Sequence, residues 1–493
     1  MQGKKNYQEK LFVSFQLSSY VPQDNFYRKL KELLNLDFLY SSTSEYYGFE
    51  GQKSIDPVVF MKLMLVGYLE NMNSDRRIIS LSRMRLDILY FIGYDIDEEL
   101  PWHSTLSRTR QLYREDIFTA LFKKVLKQCI DKGMVSGRRQ AVDGVFVKAN
   151  ASLDSMVEKE ILDDAALYSQ ELKENEQEEE TPVLKLDAPC QIHHTELKPN
   201  KNPGNDTHYS PSDPDARMSV KPGKATALNY LGQVSVDTAS HVITHIEAFT
   251  AEKRDSECLS AVVMKVKNTL LESQIALEEI VADKGYSSAD ALKALEGLGV
   301  TGYIPNRGQF NYQRKGFTYN QEGEYYTCIN KKVLHYKATE LAAGYWMKRY
   351  SLSTKECANC PFTDECSAFN IKNKHATIRE TIDKPYYDRM HVRMQTRKAK
   401  ILLKKRQSTV EPVIGTLVNY LGMKRVNTKG LEQANKCLTM SAIAYNLKKL
   451  LKHTSRHIQG NVQKINHLIN KELDGFTYDL LKQWASQTQI RIS

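Results

Sequence analysis

The sequence predicts a mixed α/β chain: an all-helical N-terminal domain, then a mixed sheet flanked by helices and interrupted by a small cysteine-bearing lobe. Three observations carry this. From Asp56 to Cys129 apolar residues recur at helical spacing throughout. Residues 279–288, Glu-Ile-Val-Ala-Asp-Lys-Gly-Tyr-Ser-Ser, read as a short strand that ends on a carboxylate, then a turn, then a helix. Cys357-Ala-Asn-Cys360, with Cys366 shortly after, marks a separate compact segment.

At 493 residues the chain is long enough for more than one core. Its 41% hydrophobic and 26% charged content is that of a globular protein. No apolar run approaches the roughly twenty residues of a membrane span. The start, Met-Gln-Gly-Lys-Lys-Asn-Tyr, lacks the apolar core of a secretory signal, so a cytoplasmic protein is expected. Net charge is +10 although residues 158–180 concentrate Glu and Asp, which leaves the remainder more basic and suited to a polyanion. Eight cysteines in such a chain favour reduced thiols or metal over disulfides.

Taken in order, residues 1–50 carry helical signals at Phe26, Leu30, Leu33 and Leu34, then a loop over Tyr40–Gly48. Asp56-Pro57 opens a helix, since proline is tolerated at the first helical position. Ile78 to Tyr94 reads as the next helix. In the segment from Trp102 to Arg110, Ser104 is placed to cap a helix whose first turns project Arg108 and Arg110 onto phosphate. The same residues also fit a solvated basic face. A further helix runs through Phe118, Leu121, Phe122, Val125 and Leu126, and the helical domain is expected over 1–135.

Beyond it, Asp143 lies in a strand that follows Arg138–Arg139 and ends near Asn150. Residues 152–225 read as an insertion, charged from Asp154 to Glu180 and rich in turn formers over 199–224. His193-His194 falls there and reads as surface. Tyr230–Val236 and Val242–Phe249 form a hairpin about the turn 237–240. A helix over 256–275 precedes the Asp283 strand, and Ser287 or Ser288 caps the helix bearing Ala289, Leu292 and Leu295. Thr301 to Pro305 is a last short strand. The sheet domain is expected over 136–310 and 380–452, the lobe over 311–379, and a helical tail over 453–493.

In the lobe, Cys357 and Cys360 are spaced to reach one tetrahedral ion, and Cys366 and Cys328 would complete a structural zinc site. Four reduced thiols packed in a small core is the alternative. Cys129, Cys190, Cys258 and Cys437 lack such spacing and read as core thiols. From Lys384 to Arg406 the chain is strongly basic, and Arg389, Arg393, Arg397 and Lys400 share a face at helical spacing, with Lys404 and Arg406 following.

That run leads to Glu411-Pro412. A residue before proline avoids the helical region, so either Glu411 bounds a helix over 412–421 or Pro412 kinks a longer one; Ser408 and Glu411 also fit a capping box. Asp283 likewise fits a plain turn aspartate. Yet three carboxylates, Asp143, Asp283 and Glu411, each in a strongly structured setting, are suited to converge on divalent metal.

These three stretches resemble the Asp-Asp-Glu motifs of bacterial insertion-sequence transposases. The helical segment ending in His-Ser-Thr-Leu-Ser-Arg-Thr-Arg and the run Asp213-Pro-Asp-Ala-Arg217 are similar to family segments too. The cysteine arrangement resembles a cysteine-bearing subgroup, and the likeness spans roughly residues 50–450. It implies an RNase H-like catalytic domain, two Mg²⁺ (or Mn²⁺) ions held by Asp143, Asp283 and Glu411, and double-stranded DNA, both element ends and target, as partner. It further implies a homodimer on DNA, sets the basic run of Arg389, Arg393, Arg397, Lys400, Lys404 and Arg406 beside that DNA, and makes Arg217 and Lys221 candidate DNA contacts. Where a related group carries Tyr, Arg and Lys around the glutamate, this chain has Lys404, Gln407 and Val418; Arg406 is the nearest arginine. A catalytically dead DNA-binding descendant and a nuclease that cuts without joining remain alternatives.

Overall fold

The computed structural model describes residues 5, 14–48, 50, 54–159, 204–220, 225–308, 310, 312–320, 322–342 and 344–454. The expectations for Lys221, Cys190, His193–His194, the acidic run beyond Lys159 and the tail beyond 454 lie outside the described residues. Two compact units divide the chain. Of the described residues, one holds those up to Met134, 416–427 and 435–454, and the other holds 135–415 and 428–434. The first break between them falls between Met134 and Val135. Residues 416–427 and 435–454, by contrast, group with the helices and not with the sheet. The helix over 431–454 is buried on nearly all sides from Ala434 to Leu447, a pattern that needs other helices around it.

In the helical unit, Asp56 caps the helix Pro57–Leu69, its Oδ1 accepting the N–H groups of Val58 (2.7 Å) and Val59 (3.1 Å) with Pro57 in the first turn. Asp56→Ala is expected to lower the stability of this unit by about 1 kcal/mol, read as a lower urea midpoint with unchanged slope. The single helix expected from Ile78 to Tyr94 is two, Asp75–Met84 and Leu86–Ile92. Arg85 between them is extended (φ −122°, ψ 114°), and its guanidinium lies 3.0 Å from Glu70 and 2.7 Å from Asp87. The second helix ends at Gly93, whose φ of +90° favours glycine. Ser104 is no cap: the helix His103–Leu112 begins after Trp102, and Ser104 lies inside its first turn.

The other unit carries strands β1 (Arg139–Lys148), β2 (Val157–Glu158), β3 (His208–Tyr209), β4 (Arg217–Ser219), β5 (Ala227–Asp237), β6 (Ile243–Thr250), β7 (Glu279–Val281) and β8 (Thr301–Tyr303). The main sheet runs β6-β5-β1-β7-β8, antiparallel from β6 to β1 and parallel from β1 to β8. β4 pairs with the start of β5. This order, with the helices Asp255–Leu271 and Ala289–Gly297 between strands, is the mixed RNase H-like architecture expected. Ser288 is the cap that the sequence left open, its hydroxyl accepting Ala291 N–H at 3.2 Å.

The lobe holds β9 (Phe317–Asn320), β10 (Tyr325–Cys328), β11 (Val333–Ala342), β12 (Tyr345–Ser351), β13 (Phe369–Asn370) and β14 (His375–Thr381), in an antiparallel sheet ordered β13-β14-β12-β11-β10-β9. Its own core gathers Phe317, Tyr326, Leu334, Tyr350, Leu352 and Ile378 about Cys357. After it the basic run forms two helices, Lys384–Gln395 and Arg397–Tyr420, because Thr396 turns extended (ψ 148°). The shared basic face expected from Arg389 to Lys400 is therefore split. The second helix continues through Pro412, so Glu411 neither starts a helix nor joins a capping box; Ser408 Oγ donates instead to Lys405 O at 3.0 Å. Among the described residues no helix is long and apolar enough to cross a membrane.

Candidate active site

Strand register brings Asp143 and Asp283 together. β1 and β7 run parallel with Ala141 beside Val281. Two residues further on each chain stand the two aspartates, on the same pleat as that pair. β7 has ended by then, so the carboxylates lie at the rim where parallel strands give out and ligands of open α/β sheets bind. Asp283 Oδ1 also accepts the Gly285 N–H at 2.8 Å, so the turn role is real as well.

Asp143 Oδ1 accepts the Gly144 N–H at 3.0 Å and lies 2.8 Å from the Arg406 guanidinium. Burial pushes the Asp143 carboxyl up to about 6; Arg406 opposes that rise, while the charges of Asp283 and Asp255 add to it. The helix Arg397–Tyr420 delivers Arg406. Its Ala399 and Leu402 pack on Val281 and Tyr303, which seats it on the aspartate pleat, and one turn later Arg406 is buried with Nε donating to Val142 O at 3.3 Å. Arg406, expected on DNA, is thus corrected to the counter-ion of Asp143.

The Glu411 side chain is exposed and makes no hydrogen bond or ion pair among the described residues. It stands five residues past Arg406, about 7.5 Å along the axis and about 140° around it. That places it on the exposed stripe of Arg397, Lys400 and Lys404. The structure brings Asp143 and Asp283 together and leaves Glu411 apart from them.

The other basic candidates fall into groups. Arg108 is exposed. Arg110 is corrected: its side chain is 2% exposed and bonded to Asp75, so it cannot reach phosphate. Arg217 donates to Glu252 at 2.9 Å, Arg389 pairs with Glu296 at 2.7 Å, and Arg393 donates to Gly302 O at 3.0 Å.

Sequence reasoning missed three residues here. Asp255, first residue of its helix, accepts Gln233 Nε2 at 2.7 Å, and the fully buried Tyr286 hydroxyl donates to Gln233 Oε1. Burial, then the charges of Asp255, Asp143 and Asp283, drive the Tyr286 pKa well above its usual value. The only sequence signal was an aspartate at a helix start, which ordinarily means a helix-dipole role.

In the lobe, Cys328, Cys357, Cys360 and Cys366 line one pocket. Burial raises the Cys357 thiol pKa, the other three thiols adding to it. Ala376 N–H donates to Cys357 Sγ at 3.4 Å and Asn330 Nδ2 to Cys360 Sγ at 3.7 Å. Cys129, Cys258 and Cys437 are buried and unbridged, as core thiols should be. Among the described residues no three His, Cys, Asp or Glu side chains stand close enough as placed to hold an ion. The donor chemistry nonetheless fits: clustered carboxylate oxygens for a hard divalent cation, four sulfurs for zinc.

A transposase domain family (DUF772) matches residues 15–112, and a transposase DDE domain family matches residues 327–451. No curated protein matches. Among solved structures, the Mos1 transposase paired-end complex with left transposon end is 9% identical with a TM-score of 0.16, the match covering 54% of this chain and 64% of that one. The chain thus spans just under two thirds of that relative. A piggyBac transposase synaptic complex with hairpin DNA is 9% identical at a TM-score of 0.25, covering 89% and 85%. The two family matches, one in the helical unit and one running from the lobe through the Arg406 helix, are both to transposase domains, the second to a transposase DDE domain.

Proposed function

We propose that the protein cuts and joins DNA at the ends of its own mobile element, using divalent metal held by Asp143, Asp283 and Glu411. The observation that carries this is the pairing of Asp143 with Asp283 at the sheet rim, with the Arg406 helix packed alongside. A divalent cation held there would supply charge stabilisation to the attacking and the leaving oxygen of an in-line displacement. Asp143 and Asp283 would hold it from the sheet, and Glu411 would join them from the helix. Arg406 offsets the charge on Asp143 until cation and DNA are in place. The stripe of Arg397, Lys400 and Lys404 tracks the phosphate backbone past Glu411.

The test supplies the protein with DNA carrying the element's terminal inverted repeats, a target plasmid, and Mg²⁺ or Ca²⁺. Cleavage and end joining in Mg²⁺ support the reading. Cleavage without joining leaves a nuclease, and specific binding without cleavage leaves a DNA-binding descendant. Sedimentation on paired ends should show two protomers. Arg108→Ala should reduce the slope of log affinity against log salt by about 1, one phosphate contact fewer, with folding unchanged.

The lobe is proposed to hold structural zinc on Cys328, Cys357, Cys360 and Cys366. One pocket gathers all four although Cys328 lies far from the others in sequence.

A further inference from the structure

Asp255 reaches the catalytic rim from the other side of the sheet. Gly144 and Gln233 are cross-strand partners of β1 and β5 and share the pleat opposite Asp143. A Cβ on Gly144 would lie 2.2 Å from Asp255 Oδ1, and one on Gly285 would lie 3.3 Å from Asp255 Oδ2 and 2.9 Å from Asp283 Oδ1. Glycine therefore stands one residue after Asp143 and two after Asp283, at the two places where a side chain would push the Asp255 carboxylate away. Behind it, the Gln233 amide is oriented by two bonds, donating to Asp255 and accepting from Tyr286. With Gln233 and Tyr286 both fully buried, that anchor is rigid.

We propose that Asp255 is a positioning residue of the metal centre: fixed through Gln233 and Tyr286, it sets the negative field between Asp143 and Asp283 and so strengthens their hold on a divalent cation. This rests on the reading of those two aspartates as metal ligands. A helix cap alone would require neither the glycine windows nor a buried two-bond anchor, and residues just outside a ligand set commonly change metal affinity 10- to 100-fold.

The experiment is Mn²⁺ binding to the full-length protein, followed by electron paramagnetic resonance, with thermal midpoints in EDTA as the folding control. Asp255→Asn should weaken Mn²⁺ binding about 10-fold or more, with a midpoint in EDTA no lower than wild type. Gln233→Met, which keeps length but removes the amide, should weaken binding in the same direction by less. Wild-type affinity in both variants, or a loss of affinity matched by a fallen midpoint in EDTA, overturns the proposal. If Asp143→Asn abolishes binding while Asp255→Asn binds Mn²⁺ with wild-type affinity, this inference alone fails. If Asp143→Asn binds Mn²⁺ as wild type does, the metal-site reading fails and takes this inference with it.

Discussion

Asp143→Asn and Asp283→Asn should each lower strand cleavage by about 10³-fold or more while leaving affinity for the element ends within the range of wild type. The size follows from the chemistry. A metal ligand lost at the reacting phosphate forfeits several kcal/mol of charge stabilisation, and about 4 kcal/mol is already a factor near 10³. Binding survives because phosphate contacts made elsewhere by arginine and lysine supply most affinity. Asparagine keeps the shape of Asp143, and its amide oxygen can still accept the Gly144 N–H that Asp143 accepts now. Single-turnover cleavage of labelled ends, beside a gel-shift titration, measures both quantities. Near-normal cleavage by either variant removes that residue from the site. Glu411→Gln belongs in the same series, because its carboxylate stands off the pair: full activity in that variant would drop Glu411 from the ligand set.

Zinc removal should be nearly as severe for the lobe. Structural zinc sites in small domains supply on the order of 10 kcal/mol, and the sheet β9–β14 packs its core directly around Cys357. Cys360→Ser, or treatment with a strong chelator, should therefore expose the segment around residues 317–381 to protease while the helical unit stays resistant. Metal analysis of the purified protein should give one zinc per chain for wild type and well below one for Cys360→Ser. A chain without zinc and with a protease-resistant lobe would return the four cysteines to plain core thiols.

What the sequence made legible is what short-range periodicity encodes. The β5–β6 hairpin, the Asp283 strand with its following helix, and the helical run after Asp56 all form where alternation, caps and turn residues place them. Burial is another matter. Arg108 and Arg110 look alike in sequence, yet one is exposed and the other is sunk beside Asp75, since only tertiary packing decides which face of a short helix is covered. The break at Thr396 replaced one basic face by two, and no proline or glycine announced it. The Gln233–Asp255–Tyr286 chain was invisible because its members come from three elements joined only by strand register.

The helix Arg397–Tyr420 carries Arg406 and Glu411 on one rigid rod, about 140° apart around its axis. Any roll of that rod that swings the glutamate inward also swings the guanidinium outward. On the proposal that Glu411 is the third metal ligand, uncovering Asp143 and delivering that carboxylate would be a single motion.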